Sequence, residues 1–217
     1  MRCCRLNSVR ARVKLSLASS NPGKLAEYRA LAVADSAGVA NPLDARAEIE
    51  LLAGFDSLPS FEEDAPTFAE NAAGKALHYS RLCEGLVFAD DSGLVVPAMG
   101  GAPGVRSARY GGPNATNAER IAKLLGELRG KVGAERAAYF VCAIALAQGG
   151  RAIAIVTARV DGEIWESPRG RGGFGYDPVF YFPYLKKTFA ELLPEEKNQH
   201  SHRGKAFRKL LSSLGTS

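Results

Sequence analysis

Cysteine and histidine are scarce in this 217-residue chain, and their spacing excludes several kinds of site. The cysteines are Cys3, Cys4, Cys83 and Cys142, and they form no C-x-x-C or C-x-x-C-H pattern. The sequence therefore supports neither a zinc ribbon nor attached haem, and it predicts reduced thiols in a cytoplasmic protein. The three histidines form no H-E-x-x-H motif, and G-x-S-x-G is also missing. Metalloprotease and serine-hydrolase chemistry are thus weakly supported.

Long apolar runs and a uniform excess of one charge are missing as well. Residues 141–147 form one of the longest apolar stretches, far below the about 20 residues that a membrane-spanning helix needs, so no membrane partner is expected. The net charge of +5 is concentrated in residues 1–14, which carry basic side chains and no acid. The rest of the chain is neutral on balance. Nucleic acid is therefore not an expected partner.

The composition that remains is that of a folded protein, with 46% apolar and 24% charged residues. Residues 1–12 are predicted to be a flexible tail and residues 13–217 a single domain. Apolar periodicity predicts strands at 13–18, 86–89, 137–148, 151–161 and 179–182, and helices beginning at 22, 67, 114 and 203. The second helix has an inward apolar stripe ending at Leu82, and Gly149-Gly150 predicts a hairpin between the two long strands. These elements predict an α/β fold, with a mixed, elongated sheet flanked by helices in two lobes that share strands.

A polar turn joins the first strand to the first helix. Its residues are Ser19, Ser20, Asn21, Pro22, Gly23 and Lys24. Asn21 suits the N-cap of the helix and Pro22 its first position. Because a helix N-terminus attracts anions, the hydroxyls, the glycine and the lysine fit a phosphate cradle, although an ordinary capped helix also explains them. The turn is not a Walker A loop.

Two adjacent acids, Asp90 and Asp91, follow the strand predicted at 86–89. Oxygen ligands at the end of a buried strand favour Mg²⁺ over zinc. Neighbouring residues of a strand face opposite sides, so one acid is expected to serve the site and the other the scaffold. The alternative is an ordinary turn, since Asp, Ser and Gly all favour turns. The acidic run at 62–64 would supply a second ligand, or would be a solvated loop.

Two further segments have the composition of a base-binding site. In residues 172–178, glycines flank Phe174 and Tyr176, which would stack on a planar base or instead fill the core. Residues 197–203 are rich in hydrogen-bond donors that would read a base edge. The alternative for this segment is an exposed helix cap with Ser201 at the N-cap.

Six segments of the chain are distinctive when taken together: LASSNPGKLAEY, TFAENAAGKA, FADDSGLVV, GGAPGVRSARYGG, GGFGYDPVF and EEKNQHSHRGKA. They resemble a known family, the bacterial non-canonical purine nucleoside triphosphate pyrophosphatases, also called Ham1 or RdgB-like inosine/xanthosine triphosphatases. The segments span about residues 14–210 in the family's order. The resemblance implies a homodimer, a nucleotide site in the cleft between the lobes, and Mg²⁺-dependent hydrolysis of dITP, ITP and XTP to the monophosphate and pyrophosphate.

The resemblance also implies a role for each matching residue. The phosphates would be bound by residues 19–24 and Lys75, with Asp91 as metal ligand and general base and Ser92 beside it. Glu63 matches an acidic metal-site position, but Pro59-Ser60 departs from the Pro-Glu of other members and leaves the second metal ligand open. The base-stacking loop would be Phe174, Gly175, Tyr176 and Asp177, and the base-reading residues would be Lys197, His202 and Arg203.

Two alternatives remain at the level of sequence. A Maf-like nucleotide pyrophosphatase also opens with a Leu-Ala-Ser turn, but it usually continues Ser-Pro-Arg-Arg, unlike residues 21–24 here. A nucleotide-binding module without catalysis would need no carboxylate to activate water. Asp91 is the residue that discriminates between this module and an enzyme.

Overall fold

A seven-stranded mixed sheet runs through the computed structural model, which describes residues 13–34 and 47–214. The strands are β1 (Val13–Leu17), β2 (Ala47–Leu51), β3 (Leu86–Val95), β4 (Ala137–Gln148), β5 (Arg151–Ile164), β6 (Phe180–Phe182) and β7 (Lys187–Thr188). Their order in the sheet is β2-β1-β3-β4-β5-β6-β7. β1 is parallel to β2 and β3, and the remaining pairs are antiparallel. The predicted tail at 1–12 lies outside the described residues.

Helices flank this sheet, which confirms the predicted α/β class. They are α1 (Pro22–Ala34), α2 (Phe68–Ser80), α3 (Asn117–Glu127), α4 (Pro194–His200) and α5 (His202–Leu214). In the described part of the chain, no helix is both long and apolar enough to cross a membrane. The single domain and its division into two lobes stay predictions.

The core lies on both faces of the sheet. On one face Tyr28 of α1 and Phe207 of α5 pack against Phe88 of β3. On the other face the small residues Ala72 and Ala76 of α2 form a cluster with the alanines of β3 and β4. A third cluster joins α3 to the end of β3, the start of β4, the end of β5 and β6. Because side chains alternate along a strand, successive residues of β3 face opposite sides of the sheet and pack against different helices.

Several sequence predictions are confirmed. Asn21 Oδ1 accepts the Gly23 and Lys24 N–H groups at 2.9 and 3.3 Å, so Asn21 caps α1. The hairpin of β4 and β5 turns at Gly149 and Gly150, whose φ values of 57° and 75° suit a type I′ turn.

Other predictions were wrong, mostly at the ends of elements. The strand after Leu86 does not end at residue 89 but continues to Val95, because β4 pairs with it as far as Val95 and Tyr139. The turn alternative for residues 90–93 is therefore wrong. α3 begins at Asn117 and not at 114, since Thr116 forms a capping box with Glu119. Leu82 lies beyond α2 and is 44% exposed.

Candidate active site

A pocket of about 640 Å³ opens beside the middle of β3. β1 ends at Leu17, which pairs with Phe88, so β3 loses its neighbour on that edge just before Asp90. The chain turns away there into α1, and the unpaired side of β3 faces the pocket. Every site residue predicted from the sequence lines it. They are Ser19, Ser20, Asn21, Pro22, Gly23, Lys24, Glu63, Lys75, Asp91, Ser92, Phe174, Gly175, Tyr176, Asp177, Lys197, His202 and Arg203.

Asp90 points to the side of α1 and α5 and belongs to the scaffold. It is fully buried, and its carboxylate pairs with Lys24 Nζ at 2.9 Å and with Arg203 Nε at 3.4 Å. Burial alone would raise the pKa of Asp90, but the two cations outweigh burial and lower that pKa to about 2. The buried carboxylate is therefore ionised and holds both cations beside the pocket.

Asp91 points the other way, toward α2, as the strand alternation predicts. Asn71 Nδ2 donates to Asp91 Oδ2 at 2.9 Å, and the residue is 6% exposed. Burial, reinforced by the Glu63 carboxylate, raises the pKa of Asp91 to about 6 against the opposing Asn71 hydrogen bond. A carboxylate with this pKa is ionised at neutral pH but is more basic than an ordinary aspartate, as a general base requires.

Glu63 turns toward the same pocket from the loop before α2. Its neighbours Glu62 and Asp64 are exposed, whereas Glu63 is half-buried and forms an ion pair with Lys75. Within residues 13–34 and 47–214, no three acidic, histidine or cysteine side chains are grouped closely enough to hold a metal ion. Mg²⁺ is nevertheless commonly held by one or two carboxylates together with substrate phosphates. Two carboxylates facing one pocket fit that requirement.

The polar turn offers side chains to an anion more than backbone groups. Asn21 occupies the Gly23 and Lys24 N–H groups, and Leu25 N–H donates to the Asn21 carbonyl at 3.3 Å. Ser20 is exposed at the pocket, and Lys24 reaches it while paired with Asp90. The N–H groups of Gly23, Lys24 and Leu25 are thus already bonded within the protein. Hydroxyl and ammonium groups remain for a phosphate.

The glycine-rich loop presents one aromatic ring to the pocket and buries the other. Phe174 is half-buried and lies against Gly23, where an added Cβ would come within 2.9 Å of the ring. Tyr176 is 4% exposed and donates to the Ser107 carbonyl at 3.1 Å, so it fills the core as the alternative interpretation held. Asp177 shapes the loop, because its Oδ2 accepts the Phe174 N–H at 2.8 Å.

Lys197 and Arg203 enter a buried ion-pair network with Glu27, which sequence reasoning missed. Lys197 Nζ lies 2.6 Å from both Glu27 Oε1 and Asp177 Oδ2. Arg203 pairs with Glu27 and donates to Ser92 Oγ at 2.8 Å. Burial alone would lower the pKa of Lys197, but the Asp177 and Glu27 carboxylates outweigh it and raise the pKa. Both residues are charged, and much of their donor capacity is used inside the protein.

His202 is the predicted base-reading residue with an unused polar atom. It is 3% exposed and stacks on Phe140 with ring centroids 4.7 Å apart, and its buried Nδ1 has no hydrogen-bond partner within residues 13–34 and 47–214. Burial, with help from the Arg203 and Lys197 charges, holds the pKa of His202 well below its ordinary value, so the ring is neutral. An orphaned buried nitrogen costs stability unless a ligand satisfies it.

The structure adds pocket residues that the sequence analysis did not single out. They are Gly93, Ser107, Ala108, Asn117, Arg120 and Phe140. Ser107 lies close to β3 because Gly93 has no side chain. A Cβ on Gly93 would lie 2.4 Å from Ser107 Oγ. Glu27 had one sequence signal, since it follows Lys24 by three residues and so shares a helix face with it.

Known proteins match this chain along nearly its whole length. A model of the Ham1 family matches residues 15–213. The dITP/XTP pyrophosphatase of Geobacillus kaustophilus is 51% identical over 197 residues, which cover 91% of this chain and 92% of that protein. A HAM1 protein structure from Coxiella burnetii superposes with a TM-score of 0.79 at 41% identity, covering 94% of this chain and 100% of that one. The Staphylococcus aureus Ham1 structure gives a TM-score of 0.77 at 35% identity, covering 93% and 97%. Family model, relatives and solved folds thus coincide, and the chain belongs to the Ham1 family.

Proposed function

We propose that this protein is a nucleoside triphosphate pyrophosphatase that hydrolyses dITP, ITP and XTP to the monophosphate and pyrophosphate. The observation that carries the proposal is one pocket lined by Asp91, Lys24, Lys75, the half-buried Phe174 and His202, whose Nδ1 has no partner among the described residues. These are the groups needed to activate water, bind phosphates, stack a base and read its edge. Relatives named dITP/XTP pyrophosphatase, 51% and 50% identical over more than nine-tenths of this chain, support this activity over the Maf-like alternative.

In the proposed reaction the chain positions phosphate and water around Asp91. Asp91 and Glu63 would hold Mg²⁺, whose chemistry is to offset the negative charge of the phosphate oxygens. The ammonium groups of Lys24 and Lys75, which line the same pocket, bind the phosphates. Asp91 accepts a proton from the attacking water, and its raised pKa suits this step. Water adds to the α phosphorus, and pyrophosphate leaves.

We propose that His202 selects the base and that Phe174 only stacks on it. A neutral imidazole with Nδ1–H would donate to the 6-oxo group of hypoxanthine or xanthine. The 6-amino group of adenine is itself a donor, so it would face the His202 N–H and neither group would be paired. Leaving a buried polar group unpaired costs about 1–3 kcal/mol of binding free energy. Stacking on Phe174 supplies no such choice, because every base has a π face.

The test is a pyrophosphate-release assay over ITP, XTP, dITP, GTP and ATP, with Mg²⁺ and with excess chelator. The expected products are monophosphate and pyrophosphate, formed faster from the 6-oxo nucleotides than from ATP and only with the metal. Asp91→Asn should abolish most turnover, since general base catalysis alone is worth about 10²- to 10⁴-fold. Release of orthophosphate and a diphosphate instead would contradict the proposal.

The proposed enzyme is a cytoplasmic homodimer. Ile153 and Ile155 are 49% and 50% exposed on β5, along a part of its outer edge that pairs with no other described strand. An apolar strand edge of this kind supports contact with a second copy. Light scattering after gel filtration measures the mass in solution, and a mass near 23.1 kDa would exclude the dimer.

A further inference from the structure

Asn71 is a fully buried polar residue that the mechanism above does not use. It lies in the first turn of α2, between the loop before that helix and β3. Buried amides are costly unless their donors and acceptors are paired, so the partners of Asn71 define what this residue does.

Three hydrogen bonds fix the Asn71 amide in one orientation. Its Oδ1 accepts the Ala65 N–H at 2.9 Å, and its Nδ2 donates to the Ala65 carbonyl at 3.4 Å and to Asp91 Oδ2 at 2.9 Å. Since a backbone N–H can only donate, the amide oxygen must face Ala65 and the NH₂ group must face the carboxylate. The amide therefore has one arrangement that satisfies all its partners.

Asn71 thereby connects Asp91 to the loop that carries Glu63. Ala65 is two residues after Glu63, and both of its backbone polar groups bond to the Asn71 side chain. The start of the same loop is fixed separately, by a 2.9 Å hydrogen bond between His78 Nε2 and the Pro59 carbonyl. Of these two connections, the one through Asn71 also reaches Asp91.

We propose that Asn71 is a positioning residue that fixes the Asp91 carboxylate relative to the Glu63 loop. Among the described residues, Asn71 is the one side chain that donates to the Asp91 carboxylate, and it takes Oδ2. The other oxygen, Oδ1, is thereby left for the chemistry in the pocket. The inference deepens the proposed function and depends on it, because it names the residue that fixes the two proposed metal ligands, Asp91 and Glu63, relative to each other.

The test compares Asn71→Leu, which removes all three hydrogen bonds, with His78→Ala, which releases the other end of the same loop without touching Asp91. Partners behind metal ligands typically change metal affinity or activity by about 10–100-fold. For Asn71→Leu we expect kcat with ITP and Mg²⁺ to fall by this amount, while KM changes less than about threefold because the phosphate and base contacts lie elsewhere. His78→Ala should keep kcat within about threefold of the wild type.

A second readout uses the metal alone. Mn²⁺ is titrated into each nucleotide-free protein and free Mn²⁺ is followed by electron paramagnetic resonance. Asn71→Leu should weaken Mn²⁺ binding about 10-fold or more, and His78→Ala should not. If the leucine variant does not fold, Asn71→Ser is measured in the same way, because its shorter side chain no longer reaches Asp91 but keeps a polar hydroxyl beside Ala65.

The outcomes separate the two proposals. Wild-type kcat and Mn²⁺ affinity in the Asn71 variants would overturn the positioning role, as would an equal loss in His78→Ala, which would show that loop anchoring alone matters. A wild-type protein that releases no pyrophosphate from any purine triphosphate would instead overturn the proposed function. The Mn²⁺ titration would then still decide whether Asn71 positions the Asp91 carboxylate.

Discussion

The replacement Asp91→Asn should stabilise the metal-free protein while it removes activity. The folded protein raises the pKa of Asp91 from 3.8 to about 6, chiefly because burial disfavours the charged form. The ionised carboxylate therefore costs folding free energy at neutral pH. Asparagine has nearly the same shape, its Oδ1 can still accept from Asn71, and it carries no charge to bury.

The size and pH range of this effect follow from the two pKa values. One pKa unit corresponds to about 1.4 kcal/mol, so the shift costs up to about 3 kcal/mol of unfolding free energy. Because the folded pKa is the higher one, the cost is fully present above about pH 6 and disappears as the pH falls toward 3.8. For a chain of this size, about 1 kcal/mol corresponds to about 2–4 °C in Tm. Asp91→Asn should therefore melt several degrees higher than the wild type at pH 8.

The assay is calorimetric unfolding of both proteins in excess chelator at pH 8 and at pH 4. We expect the variant to be more stable at pH 8 and the two proteins to converge at pH 4, where Asp91 is protonated. Added Mg²⁺ should narrow the gap at pH 8, because ligand binding stabilises the folded wild type. A variant that melts at or below the wild-type temperature at pH 8 would refute the inference that burying the ionised Asp91 carboxylate costs folding free energy.

Three further predictions follow from neighbouring residues. Asp90→Asn should lower the unfolding free energy by about 3–5 kcal/mol in urea titrations at pH 8, because it removes the carboxylate that pairs with Lys24 and one of the two that pair with Arg203. An unchanged midpoint would contradict the buried ion pair. Gly173 has a φ of 69°, and a Cβ there would lie 2.0 Å from Asp177 Oδ2. Gly173→Ala should therefore lower the unfolding free energy by about 1–3 kcal/mol in urea titrations and raise the KM for ITP, because it distorts the loop that carries Phe174; wild-type values of both would contradict this role of the glycine. His202→Ala should reduce kcat/KM for ITP about tenfold more than for ATP, since it removes a donor worth about 1–3 kcal/mol to the 6-oxo group. Equal losses on both nucleotides would show that His202 is only part of the scaffold.

Local sequence patterns determined much of the fold and the content of the pocket. The N-cap at Asn21 and the hairpin turn at Gly149-Gly150 were predictable because each depends on a few neighbouring residues. The opposite directions of Asp90 and Asp91 followed from strand alternation alone. Every predicted site residue lines the pocket, and the resemblance to the family pointed to most of these residues.

Tertiary structure decided how those residues are connected. The strand β3 was predicted to end at residue 89, because acids and glycine favour turns. Pairing with β4 instead extends the strand to Val95. Glu27 and Asn71 were missed because their roles depend on partners far along the chain, at 203 and 91. A sequence shows which side chains are available for hydrogen bonds and ion pairs. Which of them remain free for a ligand is decided only when folding pairs the others. His202 Nδ1, for example, has no partner in the described part of the chain.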